Sequence, residues 1–329
     1  MPSPLIDSFH RSIDYLRLSI TDRCNLRCVY CMPKEGMPKF SHEDILSYEE
    51  IMRLVRLITG MGVSKVRITG GEPLVRKDVL YLCARISEIQ GVNSLSVTTN
   101  GLLLTDFAKG LWTAGIRRIN VSLDTLSSEK YAAITRKDCF KQVWRGIETA
   151  LDVGFEPIKL NVVVMKGLND DEIEELGRLT YLYPFHVRFI EFMPFQEADL
   201  PSSFLSSDEI LRRLEKVAPL EPVRVENGNG PARHYQFPGA IGKIGIISPI
   251  SHHFCPTCNR LRVTADGKLR TCLFSLEETD LRTLLRREAS EAELAATIRR
   301  AIDLKPERHT LESDVFRKCI GRPMSAIGG

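Results

Sequence analysis

Short β-rich runs alternate with helical stretches through the N-terminal part of the chain, and this alternation limits the possible folds more than any other feature. It is typical of a parallel sheet with helices on its outer face. Right-handed crossovers between the strands then favour a barrel or a barrel-like sheet. The predicted strands are 15–21, 65–69, 94–98, 118–123, 157–164 and 186–192, and the predicted helices are 47–60, 77–90, 105–114, 140–153 and 170–182.

Polar residues occupy alternate positions in five successive strands, so they share one face of the sheet. They are Arg17, Ser19, Thr21, Lys65, Arg67, Thr69, Ser96, Thr98, Asn120, Ser122, Lys159 and Asn161. A closed eight-stranded barrel is filled mostly by branched apolar side chains. A solvated face is the simpler explanation for any one strand, but parallel strands covered by helices have no such face to spare. We therefore predict an incomplete, wider barrel whose interior binds a polar, anionic ligand.

The pattern changes after Phe192. We expect a loop and a helix over 197–218, a turn at 227–231, strands near 233–247 and 260–272, and a charged helix over 279–302. Residues 1–14 are expected to be an unstructured lead-in. The predicted fold is α/β: an incomplete (β/α)6 TIM-like barrel over 1–196, with a C-terminal extension over 197–329.

Charge and composition exclude several classes of protein. Lys and Arg number 45 and Asp and Glu 42, which leaves a net charge of +3 and no general affinity for nucleic acid or membranes. Hydrophobic residues make up 43% of the chain, enough for a substantial core. No apolar run approaches the length of a membrane helix. Met1-Pro2-Ser3-Pro4 has no basic region that leads into an apolar stretch, so no secretory signal is expected. A cytoplasmic protein is expected.

Three of the nine cysteines, Cys24, Cys28 and Cys31, form a C-x3-C-x2-C run directly after the first strand. The C-terminal ends of parallel barrel strands are where active sites lie. Thiolates suit zinc or iron–sulfur clusters, and a structural zinc site prefers four ligands. Three cysteines without a nearby fourth therefore favour a [4Fe–4S] cluster with one open iron.

A second triad, Cys255, Cys258 and Cys272, has C-x2-C-x13-C spacing. Zinc is a serious alternative here, because His252 or His253 offers a fourth ligand. Arg260 and Arg262 follow on one face of a predicted strand, and paired arginines suit bidentate phosphate recognition. The simpler alternative is that Arg260 and Arg262 are ordinary surface charges.

The first triad, with Tyr30 before its last cysteine, resembles the signature of the radical S-adenosylmethionine (SAM) superfamily. Thr69-Gly70-Gly71-Glu72-Pro73 at the end of the second strand resembles the glycine-rich stretch of that superfamily. The resemblance implies that SAM chelates the open iron and is cleaved to a 5′-deoxyadenosyl radical. The implied SAM contacts are Tyr30, Gly71, Ser122 and Met193.

The second triad with Arg260 and Arg262 resembles, more narrowly, the GTP 3′,8-cyclase family, and the likeness runs from about Arg17 to Gly329. It implies a second [4Fe–4S] cluster in the C-terminal extension whose open iron binds guanine. The implied GTP contacts are Arg17, Lys65, Arg67, Thr98, Lys159, Arg188, Arg260 and Arg262. Arg17 and the terminal Gly328 and Gly329 are also implied to act in catalysis.

The family reaction converts GTP to 3′,8-cyclo-7,8-dihydro-GTP, the first step of molybdenum cofactor biosynthesis. It implies an external low-potential electron donor and a product passed to cyclic pyranopterin monophosphate synthase; a homodimer is possible. Two alternatives stay open at this point. One is a radical SAM enzyme that acts on a peptide, and the other is a zinc-stabilised nucleotide-binding protein without catalysis.

The remaining cysteines have no predicted role in the chemistry. Cys83 lies in an apolar helix and is expected in the core, whereas no role is assigned to Cys139 or Cys319. The seven histidines do not form a ligand set and are assigned no catalysis.

Overall fold

The computed structural model describes residues 5–193, 203–224, 230–309, 322 and 324–328. Its N-terminal part is a run of strands and helices in strict alternation, apart from one helix that the sequence did not predict. The strands are β1 Tyr15–Ser19, β2 Lys65–Thr69, β3 Ser94–Thr99, β4 Arg118–Ser122, β5 Lys159–Val164 and β6 His186–Glu191. The helices are α1 Tyr48–Gly60, α2 Val79–Ser87, α3 Leu104–Thr113, α4 Ser128–Thr135, α5 Phe140–Val153 and α6 Ile173–Leu182.

Local sequence signals determine where several of these elements begin. Ser47 caps α1 in a full capping box: its side chain accepts from the Glu50 backbone N–H, and the Glu50 carboxylate accepts from Ser47 N at 2.7 Å. The unpredicted helix α4 is capped by Ser127, whose side chain accepts from Lys130 N. Its apolar pattern is too short to be read from sequence alone.

The C-terminal part adds strands to the same sheet. Its elements are α7 Ser207–Leu214, β7 Glu221–Pro222, β8 Ala232–Gln236, β9 Lys243–Ile247, β10 Arg260–Val263, β11 Lys268–Arg270, β12 Thr279–Asp280, α8 Arg282–Arg286, α9 Glu291–Asp303 and α10 Met324–Ile327. The strand order is β12-β11-β10-β1-β2-β3-β4-β5-β6-β9-β8-β7. Strand β10 pairs parallel with β1, and β9 pairs parallel with β6. The extension therefore adds one parallel strand at each edge of the sheet, and the strands beyond them, β11, β12, β8 and β7, pair antiparallel.

The predicted partial barrel of alternating strands and helices is confirmed, and within the described ranges its sheet stays open. Each central strand buries apolar residues on the side that faces the helices, as Leu16, Val66 and Leu160 do. Polar residues alternate with them and face the interior. The hydrophobic core thus lies between sheet and helices, and the interior is left for a ligand.

Two local predictions were wrong. The lead-in is structured over residues 5–14: Ile6 bridges Ser12, and buried Asp7 pairs with Arg11 at 2.6 Å. The single helix expected over 279–302 is instead β12, α8 and α9. It breaks where Glu288 takes a positive φ and Ser290 caps α9. Such a Ser cap is a start signal for a new helix.

No helix within the described ranges is long and apolar enough to cross a membrane.

Candidate functional site

One cavity of about 840 Å³ occupies the interior of the open barrel. Both cysteine triads, the predicted SAM contacts and the predicted GTP contacts all line it. A cavity of this size lies in the range of small-molecule sites. The structure therefore brings together every predicted site residue apart from the two terminal glycines, which are treated below.

The first triad lies in the loop that follows β1. The Cys24 thiol accepts from Leu26 N at 3.5 Å, and the Cys31 backbone N–H donates to Cys28 O at 2.9 Å. Burial raises the pKa of all three thiols, that of Cys31 to about 12. Buried thiols of this kind gain their negative charge when a metal replaces the proton. They fit a metal cluster better than a free nucleophile.

The glycine-rich stretch after β2 packs directly under this loop. Gly71 N donates to Thr21 O at 2.7 Å, and a Cβ at Gly71 would lie only 2.4 Å from Arg23 O. Buried Glu72 accepts from the Thr99 hydroxyl at 2.8 Å, and its burial raises its pKa to about 7. The backbone of Gly71 thus contacts the backbone of the cysteine loop at the C-terminal ends of β1, β2 and β3. Only glycine fits at that contact.

Tyr30 and Asp124 form a buried pair beside the first triad. The Tyr30 hydroxyl donates to Asp124 Oδ2 at 2.8 Å, and Asp124 Oδ1 accepts from Val163 N at 2.8 Å. Burial raises the pKa of Asp124 to about 6. The pair fixes the ring that precedes Cys31.

In the second triad, Cys255 and Cys258 lie between β9 and β10, and Cys272 follows β11. Cys255 and Cys258 flank one short turn in which Cys258 N donates to Cys255 O at 3.1 Å. Burial raises the pKa of Cys255. At Cys258 burial acts in the same direction, but Lys305 and Arg260 outweigh it, so that the pKa is lowered. His252, one of the alternative zinc ligands, instead contacts Asp208 at 3.0 Å.

Cationic side chains line the cavity between the two triads. Strand register places Arg17 beside Arg67 on β2 and beside Arg262 on β10. Lys65 is paired with Asp14 at 2.8 Å. Burial and then the neighbouring cations lower the pKa of Arg188 to about 9 and that of Lys159 to about 6.

These cations create an unbalanced positive interior. No carboxylate in the described ranges pairs with Lys159, Arg188 or Arg262. Several buried polar atoms that line the cavity also have no hydrogen-bond partner in that part of the chain: Tyr15 Oη, Thr98 Oγ1, Asn161 Oδ1, His186 Nδ1, Arg188 Nε, His234 Nδ1, Arg260 Nε and Arg262 Nη1. Since buried polar groups are normally paired, these atoms fit a polyanionic ligand.

The described end of the tail, 324–328, reaches the same region. Gly328 O accepts from Arg17 Nη2 at 3.1 Å and from the Thr69 hydroxyl at 3.0 Å. Gly328 has φ +79°, and a Cβ there would lie 2.9 Å from Ser19 Cβ. Gly329 lies outside the described residues.

The donor chemistry supports metal binding by the triads. In the described ranges, no three His, Cys, Asp or Glu side chains are arranged to hold a single metal ion. The thiols nevertheless have the N–H donors that metal-bound sulfur accepts: the Leu26 backbone N–H donates to Cys24, and Lys305 Nζ donates to Cys258. The residues present therefore fit clusters ligated by thiolates.

Two family models match the chain. The Radical SAM superfamily model matches residues 18–180, and the Molybdenum Cofactor Synthesis C model matches residues 185–311. Among curated proteins, GTP 3′,8-cyclase of Thermodesulfovibrio yellowstonii is 49% identical over 98% of this chain and 99% of its own length. GTP 3′,8-cyclase of Moorella thermoacetica is also 49% identical, over the same shares of both chains.

The chain belongs to the GTP 3′,8-cyclase family. Among solved structures, SuiB of Streptococcus suis bound to S-adenosylmethionine matches 87% of this chain and 68% of its own, with a TM-score of 0.60 and 16% identity. That likeness shows the radical SAM fold.

Sequence reasoning missed several residues that line the cavity of this cyclase-family chain. Tyr15 precedes Arg17 by two positions on β1, and its ring lies under the Arg67 guanidinium at 5.4 Å. His186 precedes Arg188 by two positions on β6, and the His186 and His234 rings lie 6.1 Å apart. The same period-two alternation that revealed the arginines would have found Tyr15 and His186. No local signal pointed to His234.

Two further cysteines, Cys83 and Cys139, do not line the cavity. Cys83 is buried in α2, as predicted, and Cys139 is buried at the start of α5. Cys319 lies outside the described residues.

Proposed function

We propose that this chain converts GTP to 3′,8-cyclo-7,8-dihydro-GTP, the first step of molybdenum cofactor biosynthesis, with SAM and two [4Fe–4S] clusters. The observation that carries the proposal is a single cavity lined by both thiol triads, with unbalanced cations between them. Curated relatives that match nearly the whole chain are named GTP 3′,8-cyclase.

The cations of the cavity supply the binding energy for the triphosphate. Guanidinium groups present a rigid fork that matches phosphate oxygens, and they stay charged when buried. Arg262, Arg17 and Arg67 stand side by side in register, which suits a chain of phosphates. Thr98, Lys159, Arg188 and Arg260 complete the proposed GTP contacts, and Lys65 joins them if it leaves Asp14.

The first triad and the residues around it would hold the cluster with SAM, which supplies the one-electron chemistry that starts the reaction. Gly71 offers its backbone at the end of β2, Ser122 lies at the end of β4, and Tyr30 and Met193 line the same end of the cavity. These residues orient the methionine and adenosine parts of the ligand. Enclosure by the sheet keeps water from the reactive carbon.

The second triad would hold the other cluster, whose open iron is proposed to bind guanine. Purine and phosphates are then fixed at two points, and the ribose between them is oriented towards the first triad. Gly328 and Gly329 are proposed to border the two ligands, because Gly328 contacts Arg17 and Thr69. The division at residue 196 into a radical SAM partial barrel and a C-terminal extension that carries the second cluster and GTP-binding residues remains a prediction.

The reaction also needs partners outside the chain. We propose an external low-potential electron donor, transfer of the product to cyclic pyranopterin monophosphate synthase, and a cytoplasmic location, where thiols stay reduced. Homodimer formation remains a prediction.

Anaerobic turnover with GTP, SAM and dithionite tests the proposal. The expected result is formation of 5′-deoxyadenosine together with a GTP-derived product of unchanged phosphate content, identified by mass spectrometry. Purified protein should contain near-equal iron and acid-labile sulfide. A colourless zinc protein, or SAM cleavage without any change to GTP, would contradict the proposal.

A further inference from the structure

A buried lysine lies against the second triad. Lys305 follows the end of α9 and is 2% exposed. Its Nζ donates to Arg260 O at 3.2 Å, to Thr271 O, and to Cys258 Sγ at 3.5 Å. An ammonium has three N–H donors and a neutral amine only two. Three acceptors around one nitrogen therefore match the charged form.

The three acceptors come from the two segments that supply the triad. Arg260 follows Cys258 by two residues, and Thr271 immediately precedes Cys272. Lys305 thus connects the segment with the first two cysteines to the segment with the third. Displacement of its ammonium would loosen both segments at once.

The charge of Lys305 needs a counter-charge at this place. Burial of an ammonium is costly unless it is paired. The nearby carboxylate of Asp7 is already paired with Arg11 at 2.6 Å. No carboxylate in the described part of the chain pairs with Lys305. Two neutral carbonyls satisfy two donors but do not balance the charge. The remaining partner, Cys258 sulfur, does so when it is a metal-bound thiolate.

We propose that Lys305 is a positioning residue for the second triad, whose ammonium donates to Cys258 Sγ and stabilises the negative charge of the cluster there. This inference rests on the proposed function, which assigns a cluster to that triad. Hydrogen bonds and positive charge at ligand sulfur raise the reduction potential of a cluster. Lys305 therefore makes the second cluster easier to reduce and holds its ligands together.

Arg11 offers a matched control, because it braces the same region without a contact to sulfur. Its Nη1 donates to Cys255 O at 2.9 Å and to Glu307 O at 2.8 Å, and its Nη2 donates to Pro306 O at 2.8 Å. A purely structural role for Lys305 would predict the same result for the loss of either side chain.

The test uses the full chain with Cys24, Cys28 and Cys31 replaced by Ala, so that only the second triad assembles a cluster. Lys305→Met, Lys305→Gln, Lys305→Arg and Arg11→Met are compared with this parent. Iron, sulfide and the midpoint potential from a titration followed by electron paramagnetic resonance are measured.

In Lys305→Met, the ratio of reduced to oxidised cluster at the parent's midpoint should fall about tenfold, which is about 59 mV for one electron. Lys305→Arg should have a midpoint potential close to that of the parent, and Arg11→Met, which removes no hydrogen bond to sulfur, should shift the midpoint potential less than Lys305→Met does.

Cluster loss in Lys305→Met and Lys305→Gln but not in Lys305→Arg would also support the assignment. A parent-like potential in Lys305→Met would overturn it. So would an equal shift in Arg11→Met, or cluster loss in all three Lys305 variants. If the parent holds zinc without sulfide, the proposed function fails instead. The assignment is then judged by zinc release to a chelator, which must be faster in Lys305→Met than in Arg11→Met.

Discussion

At the scale of single residues, Gly71 determines how closely the glycine-rich stretch approaches the first triad. A methyl group there would lie 2.4 Å from Arg23 O, a backbone atom that cannot move without the loop that precedes Cys24. Overpacking of this kind costs about 1–3 kcal/mol. The close approach of these two backbone segments is therefore needed to position the thiols.

We expect Gly71→Ala to lower the iron bound by the first triad and to reduce 5′-deoxyadenosine formation by about tenfold or more, since that cost displaces the cysteine loop. Iron analysis and product quantification measure the two effects. Gly60→Ala is the control, because a Cβ at Gly60 meets nothing within 4 Å. Equal activity of the Gly71 and Gly60 variants would show that the loop tolerates the methyl group.

Protonation in the basic interior should change when GTP binds. Burial and then Arg188 lower the pKa of Lys159 to about 6 and that of His186 to about 3, so both are mainly neutral at neutral pH in the free protein. His234 and Lys243 add to the repulsion at His186. A polyanion favours the charged forms and raises these pKa values.

GTP binding is therefore expected to take up protons, and affinity should fall as the pH rises above about 6, by at most about tenfold per pH unit for each proton. Calorimetry in two buffers of different ionisation enthalpy counts the protons. Lys159→Met should remove most of the uptake, whereas His42→Gln, at an exposed position, should leave it unchanged. No uptake in the parent protein would mean that the phosphates lie elsewhere.

At the scale of elements, the sequence predicted what depends on period and local caps. Strand β2 was predicted at its observed bounds, and α1, predicted over 47–60, is capped by Ser47 and ends at Gly60. The polar alternation predicted the interior face because parallel strands place every second residue on one side.

The edges of the sheet depended on pairing between distant segments. Nothing near Lys243 indicates that its strand pairs with β6, nor anything near Arg260 that its strand pairs with β1. The buried Asp7–Arg11 pair was missed because charged residues at the start of a chain normally indicate a solvated terminus. Tertiary contacts of this kind leave no periodic signal.

Arg322 anchors the tail that carries Gly328. Its guanidinium donates to both carboxylate oxygens of Asp266 at 2.8 Å each and pairs with Glu278 at 2.8 Å. A bidentate, partly buried arginine pair has a fixed geometry. It therefore sets where the following residues enter the cavity.

We expect Arg322→Met to release the tail and to lower GTP cyclisation about tenfold or more, while both proposed clusters assemble. Deletion of Gly328 and Gly329 should have the same effect, because both changes remove the tail from Arg17 and Thr69. Cyclised product and 5′-deoxyadenosine are quantified in parallel. Arg286→Met, which removes a more exposed ion pair to Glu50, is the control. Wild-type cyclisation in the truncated chain would exclude a role for the glycines.

At the scale of the whole molecule, one mixed sheet with a parallel centre positions two thiol triads that lie far apart along the chain. Strand β1 leads into the first triad and pairs with β10, which follows Cys258. The two triads are therefore positioned by neighbouring strands and share a cavity although more than two hundred residues separate them. The two triads nevertheless share no segment: the first lies in one loop, and the second comes from the turn before β10 and the segment after β11, so either one can be removed without direct damage to the ligands of the other.

This arrangement predicts a split phenotype. Cys255→Ala, Cys258→Ala or Cys272→Ala should lose GTP cyclisation but keep some uncoupled SAM cleavage, because the first triad still assembles in its separate loop. Loss of any one of Cys24, Cys28 and Cys31 should instead abolish 5′-deoxyadenosine formation, since each thiolate is proposed to hold one iron of the cluster that delivers the electron. Cys83→Ala, in the core away from the cavity, is the control for cysteine loss alone.

Normal cyclisation by the second-triad variants would make that triad structural and would remove the main support for guanine binding there. SAM cleavage lost equally in both sets would show that the two loops assemble only together.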